Sequence, residues 1–96
     1  MSNFFSNPDT RTDAVLDVVE ELIDLKKLVV YNDDVNTFEH VIESLVDVCD
    51  HSEEQAEQCS YIIHYKGKAS VREGMFEELY PMKTGLTDRG LNATIE

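Results

Sequence analysis

The residues best suited to chemistry gather in three places: the run Asn32-Asp33-Asp34, the pair Ser60 and His64, and the cysteines Cys49 and Cys59. Carboxylate and amide oxygens accept hydrogen bonds from an ammonium, and a neutral imidazole offers one more lone pair. Asn32, Asp33, Asp34 and His64, if brought together, would therefore suit a small cation, and an α-amino group with its three donors matches such a set. Phosphate would be repelled. A plainer reading stays open, in which Asn32 and Asp33 form a turn and His64 is a histidine satisfied at a helix end.

A nucleophile, base and orienting acid could be drawn from Ser60, His64 and Asp33. Ser60 lies four residues before His64 on a helical face shared with Ala56 and Ile63, however, and that face reads as core or pocket lining. No Gly-rich phosphate loop, serine elbow or paired-cysteine motif supports catalysis, so no catalytic residue is assigned. The spacing Cys49, His51, Cys59, His64 fits no zinc-finger pattern, so no metal is expected. The two thiols read as reduced and buried.

These residues must be positioned by elements that periodicity outlines. Leu28-Val29-Val30-Tyr31 is a continuous β-branched and apolar run ending at turn formers, which predicts a buried strand and then a loop. Phe38, Val41, Ile42, Leu45, Val48 and Cys49 share one helical face, with Asn36 and Glu39 as a capping box. After a break at Asp50-His51, Ser52 and Gln55 cap a second helix carried by Ala56, Cys59, Ser60 and Ile63 and ending near Gly67. Ala69 to Arg72 alternates as a strand closed by Gly74. Met75, Leu79, Met82 and Leu86 make a third helical stripe stopped at Gly90, in which Pro81 predicts either a kink or a later start near Tyr80. Leu91, Ala93 and Ile95 alternate as a closing strand. The order is β-α-α-β-α-β, an α+β class.

Composition limits the partners. With 96 residues the chain supports one domain, and 42% hydrophobic content is enough for a core. Eight Lys and Arg against twenty Asp and Glu leave a formal charge of −12, which disfavours nucleic acid and anionic membrane surfaces. Nine of the acids fall between Lys27 and Lys66, where no Lys or Arg occurs; most read as solvated helix faces. No apolar run is long enough to span a membrane, and residues 1–11 lack the plan of a secretory signal. A soluble, cytoplasmic protein is expected. Residues 1–25 read as an extension, helical in part from Asp13 onward, and residues 26–96 as the domain.

The run LVVYNDDVNTFEHVIESL, then SEEQAEQCSYIIHYKGKA, then LNATIE resembles the ClpS family, the adaptors of the Clp AAA+ protease. The resemblance covers about Lys27 to Glu96 without a gap. Its most specific parts are the strand with its Asn-Asp-Asp loop and the segment His64-Tyr65-Lys66-Gly67-Lys68-Ala69. It implies an α+β domain of three antiparallel strands covered by three helices, like the C-terminal domain of the ribosomal stalk protein. It also implies an adaptor without cofactor or enzymatic activity. Such an adaptor binds proteins whose free first residue is large and hydrophobic, an N-degron, and delivers them to a Clp AAA+ unfoldase of the ClpA or ClpC type with its peptidase.

By position, the resemblance places α-amino contacts on Asn32, Asp33 and His64, with Asp34 completing the loop. The hydrophobic pocket falls on Phe38, Val41, Ser60, Ile63 and Leu91, with Asn36 inheriting the cap. Many members carry Thr-Pro-Met where this chain has Asn36-Thr37-Phe38, and Ser60 stands where methionine is common. Unfoldase docking falls on Glu77 and Lys83, Met82 occupying the usual lysine position, and the extension over residues 1–25 would trigger delivery. An alternative is an interaction domain that modulates the unfoldase without reading N-termini; a small acidic enzyme or metal site on Asp33, Asp34 and His64 is a more distant one.

Overall fold

The computed structural model describes residues 24–96. All but the last two residues of the expected extension, and with them most of the helix expected from Asp13, lie outside the described residues. The described chain runs β1 (Lys26–Tyr31), α1 (Phe38–Cys49), α2 (Glu53–Lys66), β2 (Lys68–Gly74), α3 (Phe76–Asp88) and β3 (Asn92–Ile95). This is the order that the apolar periodicities predict.

The three strands form one antiparallel sheet in the order β2-β1-β3. The most continuously apolar strand therefore lies in the middle, where both of its edges are paired. Leu28 and Val30 of β1 are fully buried and meet Leu45 and Cys49 of α1, Ala56 and Ile63 of α2, and Leu79 and Leu86 of α3 in one core. Burying a leucine of this kind contributes about 1.5–3 kcal/mol.

Helix ends follow local chemistry, with two departures from expectation. The Ser52 hydroxyl caps α2 by accepting from the Gln55 N–H, and Gly67 (φ 91°) ends that helix in the left-handed region, as the spacing predicts. Gly90 (φ 87°) stops α3 in the same way. The N-cap of α1, however, is Thr37, whose hydroxyl accepts from the His40 N–H, and not Asn36. Asn36 is engaged elsewhere, as described below. Secondly, α3 begins at Phe76 and continues through Pro81, so the later start near Tyr80 does not occur. Pro81 is exposed, and so is Glu77, the residue four earlier whose carbonyl loses its helical donor. Met75 is the N-cap residue and is exposed, which leaves Leu79, Met82 and Leu86 as the packed part of the expected stripe.

The register of β1 and β2 shifts between Leu28 and Val29, so that Val71 has no partner opposite it. Its carbonyl is taken by buried His51, whose Nε2 lies 2.7 Å away and donates to it. His51 is thus tied to a bulge in the sheet.

Gly85 sets how closely α3 approaches α1. A Cβ built there would lie 2.9 Å from Val48 Cγ1, and valine has little rotamer freedom on a helix. Overpacking costs about 1–3 kcal/mol, against about 1 kcal/mol gained from replacing an interior helix glycine by alanine. Gly85→Ala should therefore lower stability by about 1 kcal/mol in denaturant unfolding, and in a Val48→Ala background the same change should become neutral or stabilising. Equal losses in both backgrounds would show that the contact does not set the packing.

Candidate functional site

The loop from β1 to α1 is shaped by Asp33. Its Oδ1 accepts from the backbone N–H groups of Val35 and Asn36, both at 2.9 Å, and its Oδ2 accepts from Asn36 Nδ2 at 2.8 Å. The backbone N–H of Asn36 foremost, with the Asn36 amide and the Val35 N–H adding to it, holds the Asp33 carboxyl below the usual carboxylate range; partial burial opposes this and is outweighed. The same Asn36 Nδ2 also donates to the Gly90 carbonyl at 2.9 Å. Both amide hydrogens of Asn36 are committed, and its Oδ1 is what remains to offer a ligand.

Further contacts bring distant elements to this loop and to the start of α1. The Asn32 N–H donates to the Gly67 carbonyl at 2.8 Å, tying the end of β1 to the end of α2, one turn beyond His64. His40 Nε2 lies 2.7 Å from the Arg89 carbonyl and secures the first turn of α1 to the α3–β3 turn. Phe38 packs edge-on against Tyr61 at 4.9 Å between ring centroids and stands 5.9 Å from His64, which itself meets Tyr65 edge-on at 4.8 Å.

The result is a cavity of about 310 Å³ lined by Asn32, Asp33, Asp34, Asn36, Thr37, Phe38, Val41, Ser60, Ile63 and His64. A smaller space of about 20 Å³ adjoins it, sharing Asn32, Asp33, Asn36, Val41 and Ile63 and reaching Leu91. The structure thus brings the acceptor set and the apolar set of the sequence reading to one place, with Leu91 in the adjoining space. Thr37 joins them, a residue to which the sequence pattern assigns no role at the site; a hydroxyl immediately before the helical stripe is the available signal. Glu77 and Lys83 lie apart on α3, Glu77 exposed and Lys83 at the wall of a separate groove with Phe76, Tyr80, Thr94 and Ile95.

The Ser60 hydroxyl donates to the Ala56 carbonyl at 2.8 Å, which uses its only hydrogen within its own helix. It is not hydrogen-bonded to His64. Burial pushes the Cys49 thiol up to about 11 and raises that of half-buried Cys59 as well, so neither is poised as a thiolate. Cys59 is less buried than the sequence reading expects. Among the described residues, no group of three or more His, Cys, Asp or Glu side chains is placed to hold a metal ion.

The cavity thus offers hydrogen-bond acceptors and apolar side chains together, and among the described residues the Ser60 hydroxyl is bonded within its own helix and not to His64. Residues 23–94 match the model of a protein family described as ATP-dependent Clp protease adaptor protein ClpS. The chain belongs to that family, whose members serve a protease as adaptors and are not themselves enzymes. In fold it is similar to Agrobacterium tumefaciens ClpS2, solved bound to L-phenylalaninamide, with a TM-score of 0.64 and 23% identity over 75% of this chain and 94% of that one. No curated protein matches the chain. Among the described residues, no helix is long and apolar enough to cross a membrane.

Proposed function

We propose that this adaptor captures proteins through a free, large and hydrophobic first residue and delivers them to a Clp AAA+ unfoldase in the cytoplasm. One observation carries the reading: a single cavity joins the oxygens of Asn32, Asp33 and Asp34 and the His64 ring to the apolar surfaces of Phe38, Val41 and Ile63. An α-amino group and the side chain attached to the same carbon are the two halves of one ligand that would fill both parts. The ligand held by Agrobacterium tumefaciens ClpS2 is of this kind, a free amine next to an aromatic side chain. In this reading Leu91 closes the far end, Glu77 and Lys83 contribute to unfoldase docking, residues 1–25 act in handover, and residues 26–96 form the domain that binds.

The test is delivery. A reporter protein starting with Phe should be degraded several-fold faster by a Clp unfoldase and peptidase when the adaptor is added, while the same reporter starting with Ser should be unaffected. Equal acceleration of both reporters, or of neither, would sink the reading.

A further inference from the structure

Ser60 is 3% exposed, lines the cavity between apolar neighbours, and makes one hydrogen bond, to the Ala56 carbonyl. A hydroxyl has one hydrogen and two lone pairs. With its hydrogen committed inside α2, Ser60 can face a ligand in the cavity only as an acceptor. No side-chain or backbone donor of the described residues occupies that acceptor. The rest of the apolar wall, Phe38, Val41 and Ile63, offers neither donor nor acceptor from its side chains.

We propose that Ser60 is a specificity-determining residue that favours a first side chain carrying a hydrogen-bond donor on an aromatic ring, Tyr before Phe. This rests on the cavity being the receptor for a first residue, and it adds what that receptor selects. In a wholly apolar cavity the tyrosine hydroxyl would lose its water without compensation, and Phe would be preferred. An acceptor in the wall removes that loss and leaves the incoming donor paired in a place shielded from water. Phe gains nothing from Ser60 beyond contact.

The experiment is a titration of the full chain with three short peptides of one sequence, starting with Tyr, Phe or 4-fluoro-Phe, the last nearly matching Tyr in shape while lacking the donor. The wild-type protein should bind the Tyr peptide about five-fold more tightly than the 4-fluoro-Phe peptide, the effect of one buried hydrogen bond. Ser60→Ala should remove that preference, read as the ratio of the Tyr to the 4-fluoro-Phe affinity within the one protein, with circular dichroism serving as the check on the fold. Equal affinity of the wild type for Tyr and 4-fluoro-Phe would overturn the proposal without recourse to the variant. So would a Ser60→Ala protein that keeps the preference. If Phe and Tyr peptides bind and the preference is absent, the selectivity claim alone fails; if none of the three binds, the receptor reading fails and takes this one with it.

Discussion

Peptides beginning with a free Phe, Tyr, Leu or Trp should bind, and acetylating that amine should weaken binding by at least about 100-fold, the effect of losing a charge-assisted contact worth roughly 3 kcal/mol. Acetylation removes the positive charge and leaves one N–H donor in place of three. The loss should be large here because of how the acceptors are spent. A carboxylate has about four acceptor positions, and Asp33 gives three to Val35 and Asn36. A position remains there, together with Asn36 Oδ1, the Asp34 carboxylate, the Asn32 side-chain oxygen and an imidazole nitrogen of His64. An amide N–H can satisfy only one of these, and the added acetyl group must displace water from among the rest. Fluorescence anisotropy with a labelled peptide and unlabelled competitors would measure the ratio. Equal competition by acetylated and free peptides would remove the α-amino group from the site.

The second large effect is on pH dependence. In the proposed complex the His64 ring would accept from the ammonium only while neutral, and a protonated ring would repel it as a like charge. Peptide affinity should fall on the acid side of neutrality. The Asp33 carboxyl cannot be responsible for that limb. Its acidity is increased in the folded protein, so its contribution is complete above the ordinary value of 3.8 and is lost only as pH falls through the still lower folded value. That window lies in strongly acid solution. His40 also stands near the first turn of α1, but its Nε2 donates to the Arg89 carbonyl and can go on donating when the ring is charged. On the alkaline side the peptide amine, with a reference pKa of about 7.7–8.0, loses its charge, giving a bell-shaped profile. His64→Gln keeps an acceptor and removes the titration. It should flatten the acid limb across mildly acid pH while circular dichroism stays unchanged. An acid limb of unchanged position and depth in that variant would assign the titration to another group.

What could be read from the residues alone was what depends on short-range pattern. The apolar run from Leu28 to Tyr31, the stripe through Leu45 and Cys49, the Ser52 cap and the stops at Gly67 and Gly90 are all local matters, and the fold follows from them. The acceptor run and His64 were visible as residue types. What could not be read was decided between residues far apart in sequence. Asn36 looked like a helix cap because nothing nearby shows that its amide bridges Asp33 to Gly90, which left capping to Thr37. His51 drew attention as a ligand type, yet its partner is a carbonyl set free by a bulge twenty residues later. Gly85 carried no signal, since its role is a distance to Val48 on another helix. Intrinsic preference alone argues against Pro81 within a helix, and packing of Leu79, Met82 and Leu86 overrides that preference.

The bond from Asn36 to Gly90 spans 54 residues, and the strand that leads into the loop is paired on one edge with β3, the last strand of the sheet. A ribosome emits these parts in order, so the loop, α1 and α2 are outside the exit tunnel while the residues that fasten them are still within it. A growing chain that has not yet released Gly90 and Leu91 lacks both the clamp on Asn36 and the far wall of the small cavity. Contacts of such long sequence separation form late in folding. The proposed site is thus complete only after Gly90 and Leu91 have emerged and packed, later than the loop and helices that supply most of its lining.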